Sequence, residues 1–213
     1  MQIAILIYDR FTALDAVGPY EVLSRLPDCT TTFVGETGGL KRTDTGVLGL
    51  SADATIAEVP HPDIVLIPGG PGQSALMEDG PLHEWLRKAH EGTLWTTSVC
   101  TGSLVLAAAG LLEGKRATSH WTALEELGSL GAEARSERVV FDGKIVTAAG
   151  VSAGIDMALT LVARIGGDEL AQAIQLGIEY DPQPPFQAGS PAKAPREIVD
   201  AVLAYSRFEA ASR

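Results

Sequence analysis

The chain has 213 residues, 46% of them hydrophobic, and carries a formal net charge of −11. That acidic balance argues against nucleic-acid backbones and anionic membrane surfaces as partners, and no apolar run reaches membrane-spanning length. Two cysteines make no disulfide framework and no signal-peptide pattern opens the chain, so a soluble, cytoplasmic protein is expected.

Residues Gln2 to Tyr8 form a continuous apolar run, the pattern of a central parallel strand covered on both faces. A loop, Asp9 to Leu14, leads into a helix over Asp15 to Leu23, where Pro19 suits a first turn and Asp15 stands at or just ahead of the start. Thr30 to Gly35 reads as a strand, Leu40 to Ala54 as one or two short strands, and Asp63 to Ile67 as a buried strand running into Pro68-Gly69-Gly70-Pro71-Gly72. Helical stretches are predicted around Ser74–Glu78 and over Pro81–His90. The β-branched and aromatic run Gly92 to Val99 is a strand, and Ser103 to Ala109 a helix closed by Gly110.

Further on, Arg116 to His120 is short and extended, and Thr122 to Leu130 is helical. Val139 to Phe141 and Lys144 to Val146 flank Asp142-Gly143, a hairpin signal. Ser152 can cap a helix over Ala153–Ile165, and another helix spans Asp168–Tyr180. Residues 181–195 hold five of the twelve prolines and read as an extended arm, before an amphipathic helix from Arg196 to Ala211 with Ile198, Val199, Val202, Leu203 and Tyr205 on its apolar stripe. The alternation of buried strands and helices predicts a single α/β domain with a doubly wound, mostly parallel sheet over 1–180, followed by the arm and last helix over 181–213, packed on the domain or on a partner.

Ligands bind such sheets beyond the carboxyl ends of the strands, and Asp15, Gly69-Gly70 and Cys100 all follow directly from strands. Cys100 sits where a strand turns into a helix, a place where helix N–H groups favour a thiolate; alone, it is equally readable as a small buried hydrophobe. Asp15 is either the N-cap of its helix or a carboxyl beside the sulfur, its pKa raised by repulsion and desolvation so that it can act as a general acid. Gly69-Gly70 is either a tight turn or part of an anion hole, with the N–H groups of Gly70 and Thr101 pointing above Cys100. The stretch has neither a phosphate-loop nor a dinucleotide pattern. His120 is a candidate base or a structural histidine, Cys29 has no attached motif, and no histidine spacing suits a metal.

The stretches TSVCTGSLVLAAAGLLEGKRATSHW, LDAVGPYEVL, IPGGPG and AGIDMALTL, with the arm IEYDPQPPFQAGSP, resemble the ThiJ/PfpI superfamily over nearly the whole chain, and within it the members that hydrate isonitriles. The resemblance implies a flavodoxin-like sandwich, usually a homodimer, with Cys100 as nucleophile and Asp15 as its acid/base partner. It also implies organic isonitriles as substrates, hydrated to N-substituted formamides through a covalent thioimidate without metal or organic cofactor. Gly70 and Thr101 would line the anion hole, with Gly69 and His120 behind them. Protease-like members carry His after the Cys where this chain has Thr101, which weakens a peptidase reading. A thiol redox sensor is the alternative function within the same superfamily. A regulator with a helix-turn-helix module is not expected, since the chain is acidic and leaves no room for that module before Arg213.

Overall fold

Apolar strands too hydrophobic to face water on either side stack at the centre of the molecule, and helices cover both faces. The computed structural model describes residues 1–211 and divides the chain into two compact units, Met1–Ile178 and the segment from Glu179 onward. In the first unit the strands are β1 (Gln2–Leu6), β2 (Thr30–Gly35), β3 (Gly39–Arg42), β4 (Gly49–Ala52), β5 (Ala54–Thr55) and β6 (Ile64–Ile67). They continue with β7 (Trp95–Val99), β8 (Arg116–Ala117), β9 (Glu133–Ala134), β10 (Val139–Asp142) and β11 (Ile145–Ala148). The helices are α1 (Ala13–Leu23), α2 (Pro81–Gly92), α3 (Gly102–Ala108), α4 (Leu124–Ser129), α5 (Ala153–Gly166) and α6 (Asp168–Gly177).

The main sheet has the order β10-β11-β7-β6-β1-β2-β5, and every pairing in it is parallel except β10 with β11. This is the doubly wound, flavodoxin-like arrangement. Ile3, Ile5, Ile64 and Leu66 are wholly buried, as strands covered on both faces require. The chain leaves β1 toward β2, then returns to place β6 on the other side of β1, so the winding reverses between β1 and β6. Registers such as Ile5 opposite Leu66, Ile67 opposite Ser98, and Val99 opposite Ala148 bring the carboxyl ends of β1, β6, β7 and β11 level. One helical layer joins α1 to α5 and α5 to α6; another joins α2 to α3 and α3 to α4.

Several local expectations are corrected. The helical turn predicted around Ser74–Glu78 is a 3₁₀ segment over Pro71–Leu76, begun three residues earlier because Pro71 occupies its first position. The helix predicted to reach Tyr180 ends at Gly177. Ser152 does stand at the N-cap of α5, but its hydroxyl makes no cap bond and instead accepts Arg138 Nη2 at 3.3 Å. The hairpin turn falls on Gly143-Lys144, because Asp142 already pairs with Ile145.

In the second unit, α7 (Arg196–Ala211) follows the proline-rich arm. Ile198 and Val202 on its predicted apolar stripe are 50% and 41% exposed, while Val199 and Leu203 are half-buried. The last two positions of the predicted 181–213 segment, 212 and 213, lie outside the described residues. Among the described residues no helix is long and apolar enough to cross a membrane, and no group of three or more His, Cys, Asp or Glu side chains could hold a metal ion.

Candidate active site

The level strand ends deliver Tyr8 and Asp15 after β1, Pro68-Gly69-Gly70 after β6, Cys100 after β7 and Val151 after β11. Cys100 occupies the turn between β7 and α3 with φ of 57°, a left-handed conformation that a non-glycine residue holds only when its surroundings enforce it. Enforcement comes from both sides of the residue. The Cys100 N–H donates to the carbonyls of Ala148 and Ala149 at 3.1 and 2.9 Å. The Cys100 carbonyl accepts the hydroxyls of Ser103 at 3.2 Å and Ser119 at 3.0 Å.

Asp15 is wholly buried. It lies inside the first turn of α1 rather than at its cap, because Thr12 takes the N-cap position, so the capping role open to Asp15 in the sequence does not hold. Its Oδ2 instead accepts the Gly69 N–H at 2.9 Å. Its Oδ1 is buried without a hydrogen-bond partner among the described residues. Burial pushes the Asp15 carboxyl up to about 7; the Gly69 N–H and Cys100 hold it down in part, and the charge of Asp44 adds to the rise. The direction expected from the sequence is the one found, but of its two causes only desolvation applies, since Cys100 lowers the carboxyl rather than repelling its charge.

The thiol differs from expectation. Burial, and then the neighbouring Asp15 charge, push Cys100 up to about 12, against the backbone N–H groups of Thr101 and Val151, which favour the thiolate. A short helix start cannot overcome the desolvation of a side chain only 6% exposed. The two groups are coupled in their titration, and the carboxyl is the stronger acid of the two.

The anion hole drawn from Gly70 and Thr101 is also corrected. The Gly70 N–H donates to Thr101 Oγ1 at 3.0 Å, and the Thr101 N–H is directed at the sulfur. Each donor is committed within the site, while the Thr101 hydroxyl, accepting from Gly70, keeps its own proton free to donate. Gly69 is required for closeness: a Cβ there would lie 2.5 Å from Thr101 N and 2.9 Å from Cys100 Cβ.

His120 pairs through Nδ1 with Thr122 Oγ1 at 2.7 Å, and burial lowers its pKa, which keeps it neutral. It packs against Gly150, where a Cβ would lie 2.6 Å from the ring, so it supports the residue before Val151. Cys29, whose pKa burial raises, lies far along the chain beside Thr31, not in this constellation. Sequence reasoning missed Val151, whose contribution is a backbone N–H, and Tyr8, whose hydroxyl donates to the Pro68 carbonyl at 2.8 Å. A cavity of about 280 Å³ is lined by Leu6, Tyr8, Glu36, Lys41, Ala75 and Leu82 among others; neither Asp15 nor Cys100 lines it.

Comparison with known proteins gives this geometry a context. The model of the DJ-1/PfpI family matches residues 1–164. An isonitrile hydratase from Pseudomonas putida is 44% identical over 200 residues, covering 94% of this chain and 87% of its own. The crystal structure of a ThiJ/PfpI family protein from Pseudomonas syringae superposes with a TM-score of 0.94 at 36% identity, over 97% of this chain and 86% of that one. Drosophila melanogaster DJ-1beta, at 22% identity, shares the fold with a TM-score of 0.75 over 84% of this chain and 97% of its own.

Proposed function

The chain belongs to the DJ-1/PfpI family, and we propose that within it this protein hydrates organic isonitriles to N-substituted formamides, using Cys100 as nucleophile and Asp15 as its proton partner. The observation that carries the reading is the buried Asp15 carboxyl, raised to about 7, coupled to a cysteine at a strained elbow.

The chemistry follows from the proton count. In the singly protonated pair the carboxyl is the stronger acid, so the proton rests on sulfur and Asp15 is the base. As the sulfur attacks the terminal carbon of R–N≡C, the S–H bond breaks, the proton passes to Asp15, and an S–C bond forms. Asp15 returns that proton to the same carbon, which gives the thioimidate Cys100–S–CH=N–R. Asp15, again a carboxylate, draws a proton from water as its oxygen attacks the carbon, and passes that proton to nitrogen. The C–S bond then breaks as the carbon hydroxyl becomes the formamide carbonyl, its proton passes through Asp15 to the sulfur, and R–NH–CHO leaves. The Thr101 hydroxyl, held by the Gly70 N–H, is a donor for the water or the developing oxygen charge.

The redox-sensor alternative finds less support, since a sensor needs an exposed thiolate and Cys100 is buried with its pKa raised. We also propose that the protein is a homodimer, with the arm and the exposed apolar stripe of α7 contributing to the association, and that it takes a small-molecule isonitrile as substrate without a cofactor. Light scattering at micromolar concentration tests the dimer, and a monomer mass overturns it.

The decisive experiment mixes the protein with an alkyl isonitrile and follows formamide by mass spectrometry. Many turnovers per protein are expected, with none for Cys100→Ala and unchanged turnover for Cys29→Ala. Substantial turnover by Cys100→Ala would sink the covalent route.

A further inference from the structure

Two consecutive peptide groups stand between the loop after β1 and the side chains of the site. The Pro68–Gly69 peptide accepts the Tyr8 hydroxyl on its carbonyl at 2.8 Å and donates its N–H to Asp15 Oδ2 at 2.9 Å. The Gly69–Gly70 peptide accepts the Thr12 N–H on its carbonyl at 2.8 Å and donates its N–H to Thr101 Oγ1 at 3.0 Å. A peptide group is planar, so fixing the direction of the carbonyl fixes that of the N–H on its far side. The glycines carry no side chains to fix those planes by packing; the bonds from Tyr8 and Thr12 do so instead. Hydrogen bonds in series also polarise one another, so a donor on the carbonyl strengthens the N–H as a donor.

We propose that Tyr8 is a positioning residue for the proton-transfer pair, holding the Pro68–Gly69 peptide so that its N–H stays on Asp15 Oδ2. Tyr8 is suited to this because burial, with Asp15 and Cys100 nearby, raises its pKa and keeps its hydroxyl a donor at every working pH. The groups facing Asp15 are Cys100 from the β7–α3 turn, Tyr8 from the end of β1, and Asp44 from the β3–β4 turn, which Thr12 Oγ1 holds at 2.9 Å. Of these, only Tyr8 acts on Asp15 through the Gly69 N–H, the bond that most lowers the Asp15 pKa.

The test is Tyr8→Phe, which keeps the ring and removes the hydroxyl. With the carbonyl released, the Gly69 N–H turns from the carboxylate and Asp15 becomes a weaker acid, by about one pH unit. Formamide production is then expected to fall roughly fivefold at pH 7 and to be nearly normal at pH 9, because at pH 9 the carboxylate has formed in both proteins. The kinetic measurement rests on the isonitrile reading, so a second measurement does not: the ionisation of the Asp15 carboxyl followed against pH by isotope-edited infrared spectroscopy with no isonitrile present, whose midpoint should move up by the same unit. If formamide is never made but the midpoint moves, the function fails and the positioning role stands. Replacing Tyr8 with 4-aminophenylalanine restores a donor and should return the midpoint toward wild type, even if the Phe variant folds poorly. An unmoved carboxyl midpoint, or a loss of rate equal at pH 7 and pH 9, overturns the proposal.

Discussion

The two edges of the central sheet solve the same problem in opposite ways. At the amino edge, several buried and half-buried polar groups are paired. Asp63 Oδ2 accepts the Gln2 N–H at 2.7 Å, and Thr96 Oγ1 meets Thr93 Oγ1 at 2.9 Å and His90 Nδ1 at 2.8 Å. Lys144 donates its ammonium protons to the carbonyls of His90, Glu91 and Thr93, closing the C-terminus of α2 with a positive charge. At the carboxyl edge, Asp15 keeps one buried oxygen without a hydrogen-bond partner among the described residues, and Cys100 keeps a left-handed backbone. The pairs at the amino edge lower the energy of the fold, while in the proposed function the carboxyl edge exchanges a proton. On that proposal, activity and stability are drawn from different ends of the same strands.

Substitution at Asp15 should separate the two most strongly. Asp15→Asn keeps the size but cannot carry a proton, so turnover is expected to fall by roughly 10²-fold or more. In the wild type the rate should rise with pH through about 7, as Asp15 ionises and the pair loses the first of its two protons, and that limb should be absent from the residual rate of the Asn variant. Stability should move the other way. The carboxyl titrates near 7 in the folded chain and near 4 when unfolded, so folding opposes its charge. Its stability contribution is fullest below the unfolded pKa, declines as pH rises toward 7, and is level above. Thermal melts at pH 8 should therefore show Asp15→Asn more stable than wild type; a variant destabilised at pH 8 would contradict the cost assigned to that buried carboxylate.

Gly69→Ala probes the same edge through packing. Its methyl would meet Thr101 N at 2.5 Å, a backbone atom that must shift, and the elbow with it. A displacement approaching 1 Å at the nucleophile costs about 10²-fold in rate. Crystal structures of the variant should show the turn moved; full activity would mean the turn tolerates what its geometry forbids.

Lys144→Ala at the other edge should leave turnover within about twofold of wild type while lowering stability by about 1–2 kcal/mol, the worth of a charge-assisted cap at a helix end. Denaturant titration measures it. A large loss of activity in Lys144→Ala would break the division between the edges.

Much of the fold was legible because buried parallel strands announce themselves as unbroken apolar runs, as in Gln2 to Tyr8, and because glycine and proline punctuate them. Asp15, Gly69 and Cys100 were legible as a group for a topological reason: residues following parallel strands meet at one edge. What the groups do with their hydrogen bonds was not. The destination of the Gly70 N–H depends on the rotamer of Thr101, and the Cys100 pKa depends on how much water reaches it, neither of which is a property of local sequence. Val151 contributes only its backbone, so no residue type could signal it. Tyr8 sits in a run of hydrophobes whose burial explains it fully until the Pro68 carbonyl is seen beside its hydroxyl.

The frame around Cys100 has one more consequence. Its N–H is spent on Ala148 and Ala149, and its carbonyl on Ser103 and Ser119, and these four bonds involve no atom of its side chain. The direction in which the Cβ projects is therefore inherited from neighbours on three separate segments of the chain. The position behaves as a socket: the scaffold aims the side chain, and under the proposed function the sulfur mounted there supplies the reactivity. A backbone held this way would keep its geometry when the side chain at that point is exchanged.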